Sequence, residues 1–116
     1  MGDIFRDTFL GFMRVHILYH AAKGRIFGLE MIEELREHGY ELSPGTLYPI
    51  LHAMEQAGYL RCEHAVAAGK ARKYYRATAL GKRVLVQLKE RIRELTEEVL
   101  DELPPAGSRS ARPPRR

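Results

Sequence analysis

The sequence is poor in the features that mark several classes of protein. It has 116 residues and one cysteine, Cys62, so no disulfide can form within the chain, which favours a reducing, cytoplasmic location. No stretch approaches the roughly 18 uninterrupted apolar residues of a membrane helix, and the charged residues near the start are unlike a signal peptide. It also lacks a glycine-rich phosphate loop after a strand and a nucleophile elbow. We therefore expect one cytoplasmic domain that is neither a membrane protein nor an enzyme.

Charge is spread unevenly along the chain. The formal net charge is +4, but residues 104–116 hold four arginines and no acid, so the remainder is neutral. Residues 61–83 contain seven basic side chains against Glu63 alone, whereas residues 29–42 contain five glutamates against Arg36. A strongly basic segment within a neutral body is typical of a protein that meets phosphate on one face.

Two helices are predicted in the N-terminal part. Residues 4–22 are apolar nearly all round, so this helix needs cover on more than one face, and a partner subunit is the expected cover for one of them. Residues 28–38 form the second helix, with three aliphatic side chains inward and the glutamates outward. The inward side chains are Leu29, Ile32 and Leu35. Gly24 and Gly39 end the two helices as C-terminal glycines.

A third helix is predicted from Ser43, a favoured N-cap residue, to about Ala57, before Gly58. Its buried stripe comprises Leu47, Ile50, Leu51 and Met54, and its opposite face presents Gly45, Thr46, Tyr48, Pro49 and His52. That face is free of acid until Glu55, and the helix N-terminus carries a partial positive charge that suits phosphate. Pro49 removes a backbone hydrogen bond, and we expect Gly45 to ease the clash of its ring. The exposed face is therefore predicted to approach a DNA groove closely.

After Gly58 the apolar period changes from 3.6 to 2, which predicts a β-hairpin. Inward residues Leu60, Cys62, His64 and Val66 alternate with Arg61, Glu63 and Ala65, residues 67–71 form the tip, and residues 72–78 return. Phosphate contacts are expected from Lys70, Arg72, Lys73 and Arg76, with Tyr74 beside them and Tyr75 in the core. Two tandem helices followed by a hairpin with a basic tip predict a mainly α fold with a small β-hairpin, a winged helix-turn-helix.

The last predicted helix covers residues 79–102, is capped by Thr78, and is roughly 36 Å long. Its narrow seam is Leu80, Val84, Leu88, Ile92, Leu95, Val99 and Leu103, which is typical of helix pairing between subunits. The expected dimer interface is Phe5, Phe9, Phe12, Leu88, Ile92, Leu95 and Val99. We thus divide the chain into a winged-helix domain (1–78), a dimerisation helix (79–103) and a disordered basic tail (104–116).

Three segments together resemble the PadR family of transcriptional regulators. They are SPGTLYPILHAMEQAGYL (43–60), GKARKYY (69–75) and the turn from Thr78 to Gly81, and the single final helix resembles the short subfamily. The resemblance implies a cytoplasmic homodimer that binds a pseudo-palindromic double-stranded operator, as a repressor responsive to a ligand or to stress. It also implies Tyr48, Lys73 and Tyr74 as DNA contacts. The sequence has no tryptophan, which argues against an aromatic drug-binding slot between the final helices.

Two other functions are compatible with the sequence. His16 and His20 lie four residues apart on one helix face, a spacing at which two imidazoles share a metal. The third ligand is open among His38, His52, His64, Glu30 and the partner subunit. A divalent metal or a small-molecule effector is therefore a candidate, though no cofactor is required. The second alternative is a winged-helix protein-interaction module without DNA binding, against which the basic hairpin argues.

Overall fold

Four helices and three strands follow one another along the chain in the computed structural model, which describes residues 3–101. They are α1 (Ile4–Lys23), β1 (Ile26–Phe27), α2 (Gly28–Glu37), α3 (Pro44–Gln56), β2 (Leu60–Ala67), β3 (Lys70–Ala77) and α4 (Ala79–Val99). This mainly helical arrangement with a small antiparallel sheet confirms the predicted winged helix-turn-helix. The proposed tail lies outside the described residues. Within residues 3–101, none of the helices combines the length and the apolar character needed to cross a bilayer.

The predicted helix ends are confirmed by the backbone. Gly39 and Gly58 follow α2 and α3 with φ angles of +93° and +89°, a left-handed conformation that glycine adopts without strain. Ser43 is the N-cap residue of α3, with Pro44 in the first turn. Its hydroxyl does not bond a backbone N–H and instead lies 3.4 Å from Oγ1 of Thr46. The N-cap position was therefore predicted correctly, although its side chain caps nothing.

The core lies where the first three helices meet the inner face of the sheet. Its largest fully buried side chains are Met13, Ile17, Met31, Leu35, Leu47 and Leu51. The prediction that Leu29 points inward was wrong, because its side chain is 53% exposed and Met31 is buried instead. The apolar residues of a helix can form the buried stripe in more than one register, and the sequence alone does not choose between them. Helix α2 packs on α1 and α3 along the stripe that contains Met31, Ile32 and Leu35.

The sheet has the strand order β1-β3-β2, all antiparallel. Ala68 and Gly69 connect β2 and β3 with φ angles of +53° and +78°, as a tight two-residue hairpin turn requires. The tip was predicted at residues 67–71, so the strands extend further towards the turn than expected. The prediction that Val66 is half-buried was wrong, because its side chain is 75% exposed. The hairpin reaches beyond the core at that point, so alternation along the strand no longer separates inside from outside.

Strand β1 was not predicted, since it contains only two residues between Gly24 and Gly28. Its residues pair with β3, Ile26 opposite Tyr75 and Phe27 opposite Tyr74. Ile26 and Tyr75 point into the core, which confirms the prediction that Tyr75 is the core tyrosine of the pair. Strand β1 thus fastens the start of α2 to the hairpin.

Helix α4 is joined to the winged-helix part by a hydrogen-bonded junction. The Thr78 hydroxyl accepts the Gly81 N–H at 3.0 Å, which confirms the predicted cap, and donates to the Gly58 carbonyl at 2.6 Å. The Thr78 N–H also donates to the Tyr59 carbonyl at 3.0 Å. Past this junction Leu85 is buried, and the helix ends at Val99, three residues earlier than predicted. Every residue of α4 after Leu88 is exposed in the single chain.

Candidate nucleic-acid interface

The face of α3 opposite the core is open to solvent. All the residues predicted for this face are exposed: Ser43, Gly45, Thr46, Tyr48, Pro49 and His52. No acidic residue lies in the first turn of the helix. A methyl group added at Gly45 would meet only the Ser43 hydroxyl, at 3.6 Å. The idea that Gly45 makes room for the Pro49 ring is therefore not supported, and glycine instead leaves this turn of the helix bare.

Tyr48 has a second role that the sequence did not reveal. Its ring lies against Gly28 at the start of α2, so closely that a side chain at Gly28 would overlap the Tyr48 hydroxyl. The ring remains 37% exposed. The Tyr48 ring therefore lies on the exposed face of α3, at the boundary with the helix that precedes it. In the sequence, Gly28 marks the place of this contact. A glycine at a helix start does not by itself predict that a ring packs against it.

The hairpin divides its basic side chains between two faces. Strand alternation places Lys73 on the face of Tyr75 and Cys62, and Arg72, Tyr74 and Arg76 on the other. Burial raises the pKa of the Cys62 thiol; Glu55 of α3 raises it further, and the Lys73 charge opposes this. Lys73 therefore lies on the side of the hairpin that faces α3.

The pKa of Tyr75 shows the same proximity. Burial raises it above the ordinary tyrosine value, and smaller contributions come from Cys62, Glu55 and Tyr48. Tyr75 thus lies beneath the junction between the hairpin and α3, on the same face of β3 as Lys73. Strand β2 of the hairpin packs on α3, so Lys73 and the exposed face of α3 belong to adjoining elements.

The outer face of the hairpin is a stack of rings and guanidinium groups. Arg25 lies over the Tyr74 ring, with 4.2 Å between its central carbon and the ring centroid, and Arg72 lies over Phe27 at 4.6 Å. The Phe27 and Tyr74 rings are 5.7 Å apart. Cation–π contacts of this kind hold a guanidinium with about 0.5–1 kcal/mol at an exposed site. Arg25 and Phe27 were missed by the sequence analysis because β1 was missed.

Arg76 is engaged by an acid. Its Nε donates to Glu63 Oε2 at 3.0 Å, and Arg61 donates to the same oxygen at 3.3 Å. These hydrogen bonds lower the pKa of Glu63 below its ordinary value. Among residues 3–101, no ion pair involves Lys70 or Lys73, and both are exposed. The hairpin thus offers two unengaged lysines and three arginines already held by the protein.

The residues predicted for the dimer interface form an exposed apolar set. Phe5 is 74% exposed and Leu95 is 52% exposed, and Phe12, Ile92 and Val99 are also exposed. Phe9 and Leu88 are half-buried, since Phe9 packs on Tyr40 with ring centroids 4.6 Å apart. The set lies on α1 and α4, which pack against each other.

The histidines considered for a metal site are partly brought together. His16 and His20 of α1 meet His38, and their nearest nitrogens all lie within 4.8 Å of one another. His52 and His64 are exposed elsewhere in the described chain. Glu34, which the sequence analysis did not consider, lies 3.5 Å from Nε2 of His20 and 3.2 Å from Nε2 of His38. Burial is the largest influence on the pKa of His20 and lowers it; Glu34 opposes this.

Comparisons with known proteins agree with one another. The family model for the "transcriptional regulator PadR-like family" matches residues 17–87. Transcriptional regulator Rv3488 of Mycobacterium tuberculosis is 47% identical over 88 residues, covering 76% of this chain and 82% of that protein. A solved PadR-like transcription factor from Bacteroides fragilis has a TM-score of 0.72 at 28% identity, covering 85% of this chain and 98% of that one.

A PadR-like regulator from Bacillus cereus superposes with a TM-score of 0.77 at 26% identity and with the same coverage of 85% and 98%. These similar proteins carry the names of transcription factors and transcriptional regulators, and none carries the name of an enzyme. The fold of residues 3–101 and the names of the relatives thus lead to the same class of protein.

Proposed function

Since the chain belongs to the PadR-like family of transcriptional regulators, we propose that it represses transcription as a homodimer that binds double-stranded operator DNA. Helix α3 of each subunit enters a major groove, and the hairpin contacts the flanking phosphates. In this proposal the DNA-binding unit lies within residues 1–78, and α4, within residues 79–103, is the dimerisation helix. Half-sites then lie about one helical turn, roughly 34–36 Å, apart.

One observation carries the proposal: the exposed face of α3 begins with an acid-free turn, and the hairpin whose strand β2 packs on α3 bears the exposed Lys73. The turn presents small and polar groups, so its backbone can approach a groove wall closely. Lys73 supplies a charge for a phosphate next to that groove. A protein-interaction module needs neither feature, so DNA binding is the better explanation of their combination.

The state of each basic side chain sets how strongly salt weakens binding. Lys70 and Lys73 are unengaged, whereas Arg72 lies on Phe27 and Arg76 is paired with Glu63. Two phosphate contacts per subunit give four per dimer, and at about 0.9 per phosphate the salt slope from the lysines is about 3.6. This is fewer contacts than the three or four per subunit that the sequence alone suggested.

Sequence recognition in this proposal rests on few direct base contacts. The α3 surface carries no arginine or asparagine, so Thr46, Tyr48 and His52 are the candidates for base edges. Groove width and deformability then contribute much of the specificity. Tyr48 suits this role because its ring is exposed where α3 meets the start of α2.

The homodimer is proposed from the exposed apolar set on α1 and α4. Beyond Leu88 the helix α4 contacts too little of its own chain to be covered, and Ile92, Leu95 and Val99 continue one seam along it. The same helix of a second subunit covers such a seam at least cost. An effector, in this proposal, changes the angle between the two DNA-binding units through α1 and α4.

The test is fluorescence anisotropy with DNA from upstream of the protein's own gene, repeated at several salt concentrations. Tyr48→Ala and Lys73→Ala are expected to weaken operator binding, and Lys73→Ala to reduce the salt slope by about 1 for each phosphate that it no longer neutralises. Lys89→Ala, an exposed lysine on α4, is the matched control and leaves affinity unchanged. Size-exclusion chromatography with light scattering verifies that every variant remains a dimer.

Three results would each contradict a part of the proposal. Unchanged affinity of both Tyr48→Ala and Lys73→Ala would remove the site assignment, and salt-independent or absent DNA binding of the wild type would favour the protein-interaction module. A monomer in solution would remove the homodimer.

A further inference from the structure

Four metal-binding side chains from two helices converge beside α4. Helix α1 contributes His16 and His20, which lie near His38, the C-cap residue of α2. Glu34 of α2 joins them through its contacts with His20 and His38, and each pair is four residues apart and so on one helix face. The two faces meet where α1 and α2 pack. His16 and His38 stack with ring centroids 4.8 Å apart. The cluster thus depends on the packing of α1 against α2, since neither helix supplies enough ligands alone.

The distances approach those of a tetrahedral metal site. Ligand atoms about 2.0–2.1 Å from a tetrahedral Zn²⁺ lie roughly 3.3–3.4 Å from one another. Glu34 Oε2 is already 3.2 Å from Nε2 of His38 and 3.5 Å from Nε2 of His20. The three imidazoles, with ligand nitrogens within 4.8 Å of one another, need to close by at most about 1.5 Å, a distance that side-chain rotation covers.

The pocket around the four side chains is open to solvent, and a neighbouring ring packs against one of the histidines. The cluster lines an open pocket of about 600 Å³, through which an ion can enter. His16 and His20 are half-buried, and the Tyr40 ring meets His16 edge-on at 5.1 Å, which limits how far that imidazole can turn. Lys23 also lines the pocket, but its ammonium group is held by the Tyr19 hydroxyl at 3.2 Å.

We propose that His16, His20, His38 and Glu34 bind one divalent cation of the Zn²⁺ type per chain and thereby clamp α1 to α2. Three imidazoles and one carboxylate are ligands that suit Zn²⁺ and Co²⁺, and not the oxygen-only sets that Mg²⁺ and Ca²⁺ prefer. Glu34 changes from the hydrogen-bond partner of His38 and the ion-pair neighbour of His20 into the fourth ligand. The site goes beyond the pair His16 and His20, because α2 supplies half of its ligands.

The position of the site indicates that the cation regulates operator binding, an inference that rests on the proposed function. Leu85 and Ile92 of α4 line the same pocket, and Ile92 belongs to the expected dimer seam. Helix α2 leads directly into α3, the proposed reading helix. A cation that fixes α1 against α2 therefore fixes the dimer helices relative to the DNA-binding surface, and operator affinity should differ between the metal-free and loaded forms.

The experiment titrates Co²⁺ and then Zn²⁺ into the full-length, tag-free protein after removal of bound metal. One Co²⁺ per chain with the visible absorption of a tetrahedral centre, displaced by Zn²⁺, is expected. His38→Gln and His20→Ala should weaken binding at least about 100-fold and Glu34→Gln about 10–100-fold. His52→Ala and His64→Ala, exposed histidines outside the cluster, are matched controls and should bind as the wild type does.

Because His38 is exposed, its variant is expected to fold, and thermal unfolding of each metal-free variant verifies this. Absent Co²⁺ binding by the wild type, or equal binding by folded His38→Gln, would overturn the site. Operator binding measured with and without Zn²⁺ tests the regulation separately. Equal operator affinity in both forms overturns the regulatory part alone, whereas absent DNA binding in both forms overturns the proposed function and leaves the Co²⁺ titration to decide the site.

Discussion

Gly81 occupies a position in α4 where any side chain would collide with the backbone of another segment. A methyl group there would overlap the carbonyl oxygen of Tyr59 and lie 3.2 Å from Cδ1 of Leu18. The Tyr59 carbonyl cannot turn away freely, because it accepts the Thr78 N–H at 3.0 Å. We therefore expect Gly81→Ala to force α4 away from the winged-helix part.

The expected change in the free energy of unfolding on Gly81→Ala is the sum of opposing contributions. Alanine is favoured over glycine in a helix by about 1 kcal/mol. Overpacking a rigid site costs about 1–3 kcal/mol, and breaking a hydrogen bond at the Thr78 junction costs about 1 kcal/mol more. The expected net loss in the free energy of unfolding is about 1–3 kcal/mol, or a fall in Tm of roughly 5–15 °C. By contrast, Lys82→Ala changes an exposed neighbour and should stay within about 0.5 kcal/mol of the wild type.

Urea unfolding at one fixed protein concentration, followed by circular dichroism, measures the difference. The concentration is held constant because a dimer's apparent stability depends on it. A Gly81→Ala protein as stable as the wild type would refute the reasoning, because the junction would then tolerate a side chain that the geometry excludes. A loss of equal size in Lys82→Ala would show that the first turn of α4 is sensitive for another reason.

Three further outcomes are expected. Leu95→Glu places charge in the exposed seam and should give a monomer by light scattering, whereas a dimer would contradict the proposed interface. Gly28→Ala meets only the movable Tyr48 ring, so the free energy of unfolding should change by less than about 1 kcal/mol while operator affinity falls towards that of Tyr48→Ala. Arg76 lowers the Glu63 pKa, so their pair stabilises above the ordinary glutamate pKa of about 4.3 and is lost as pH falls through the lower folded value. Urea unfolding should accordingly separate Glu63→Gln from the wild type at neutral pH, and the difference should shrink as the pH falls below about 4.3; a difference that does not change with pH would oppose this.

Local signals were sufficient to predict the four helices and the hairpin, together with the ends of α2 and α3. Gly39 and Gly58 stop helices because only glycine adopts their positive φ without strain, and Thr78 caps α4 because its hydroxyl reaches a free N–H. The exposed face of α3 was also predictable, since the buried stripe of a helix determines its opposite face. The family resemblance added the placement of these elements in one fold.

Contacts between distant segments were not predictable from the sequence. The register of α2 depends on what α1 and α3 present to it, so Leu29 was placed inward and Met31 was not. Strand β1 exists only because β3 pairs with it. The pairing of Arg76 with Glu63 joins residues 13 positions apart across the hairpin, and no local pattern distinguishes such an arginine from a free one.

Helix α1 connects the two proposals because it presents three different surfaces. Met13 and Ile17 are fully buried in the core, Phe5 and Phe12 are exposed in the expected interface, and His16 and His20 face the cluster with α2. A packed core transmits small displacements because its side chains cannot deform independently. A cation bound by His16 and His20 therefore acts on the same helix that carries part of the expected interface. Regulation in this chain then requires no separate effector domain, since one helix of 20 residues carries the core, the ligands and the interface.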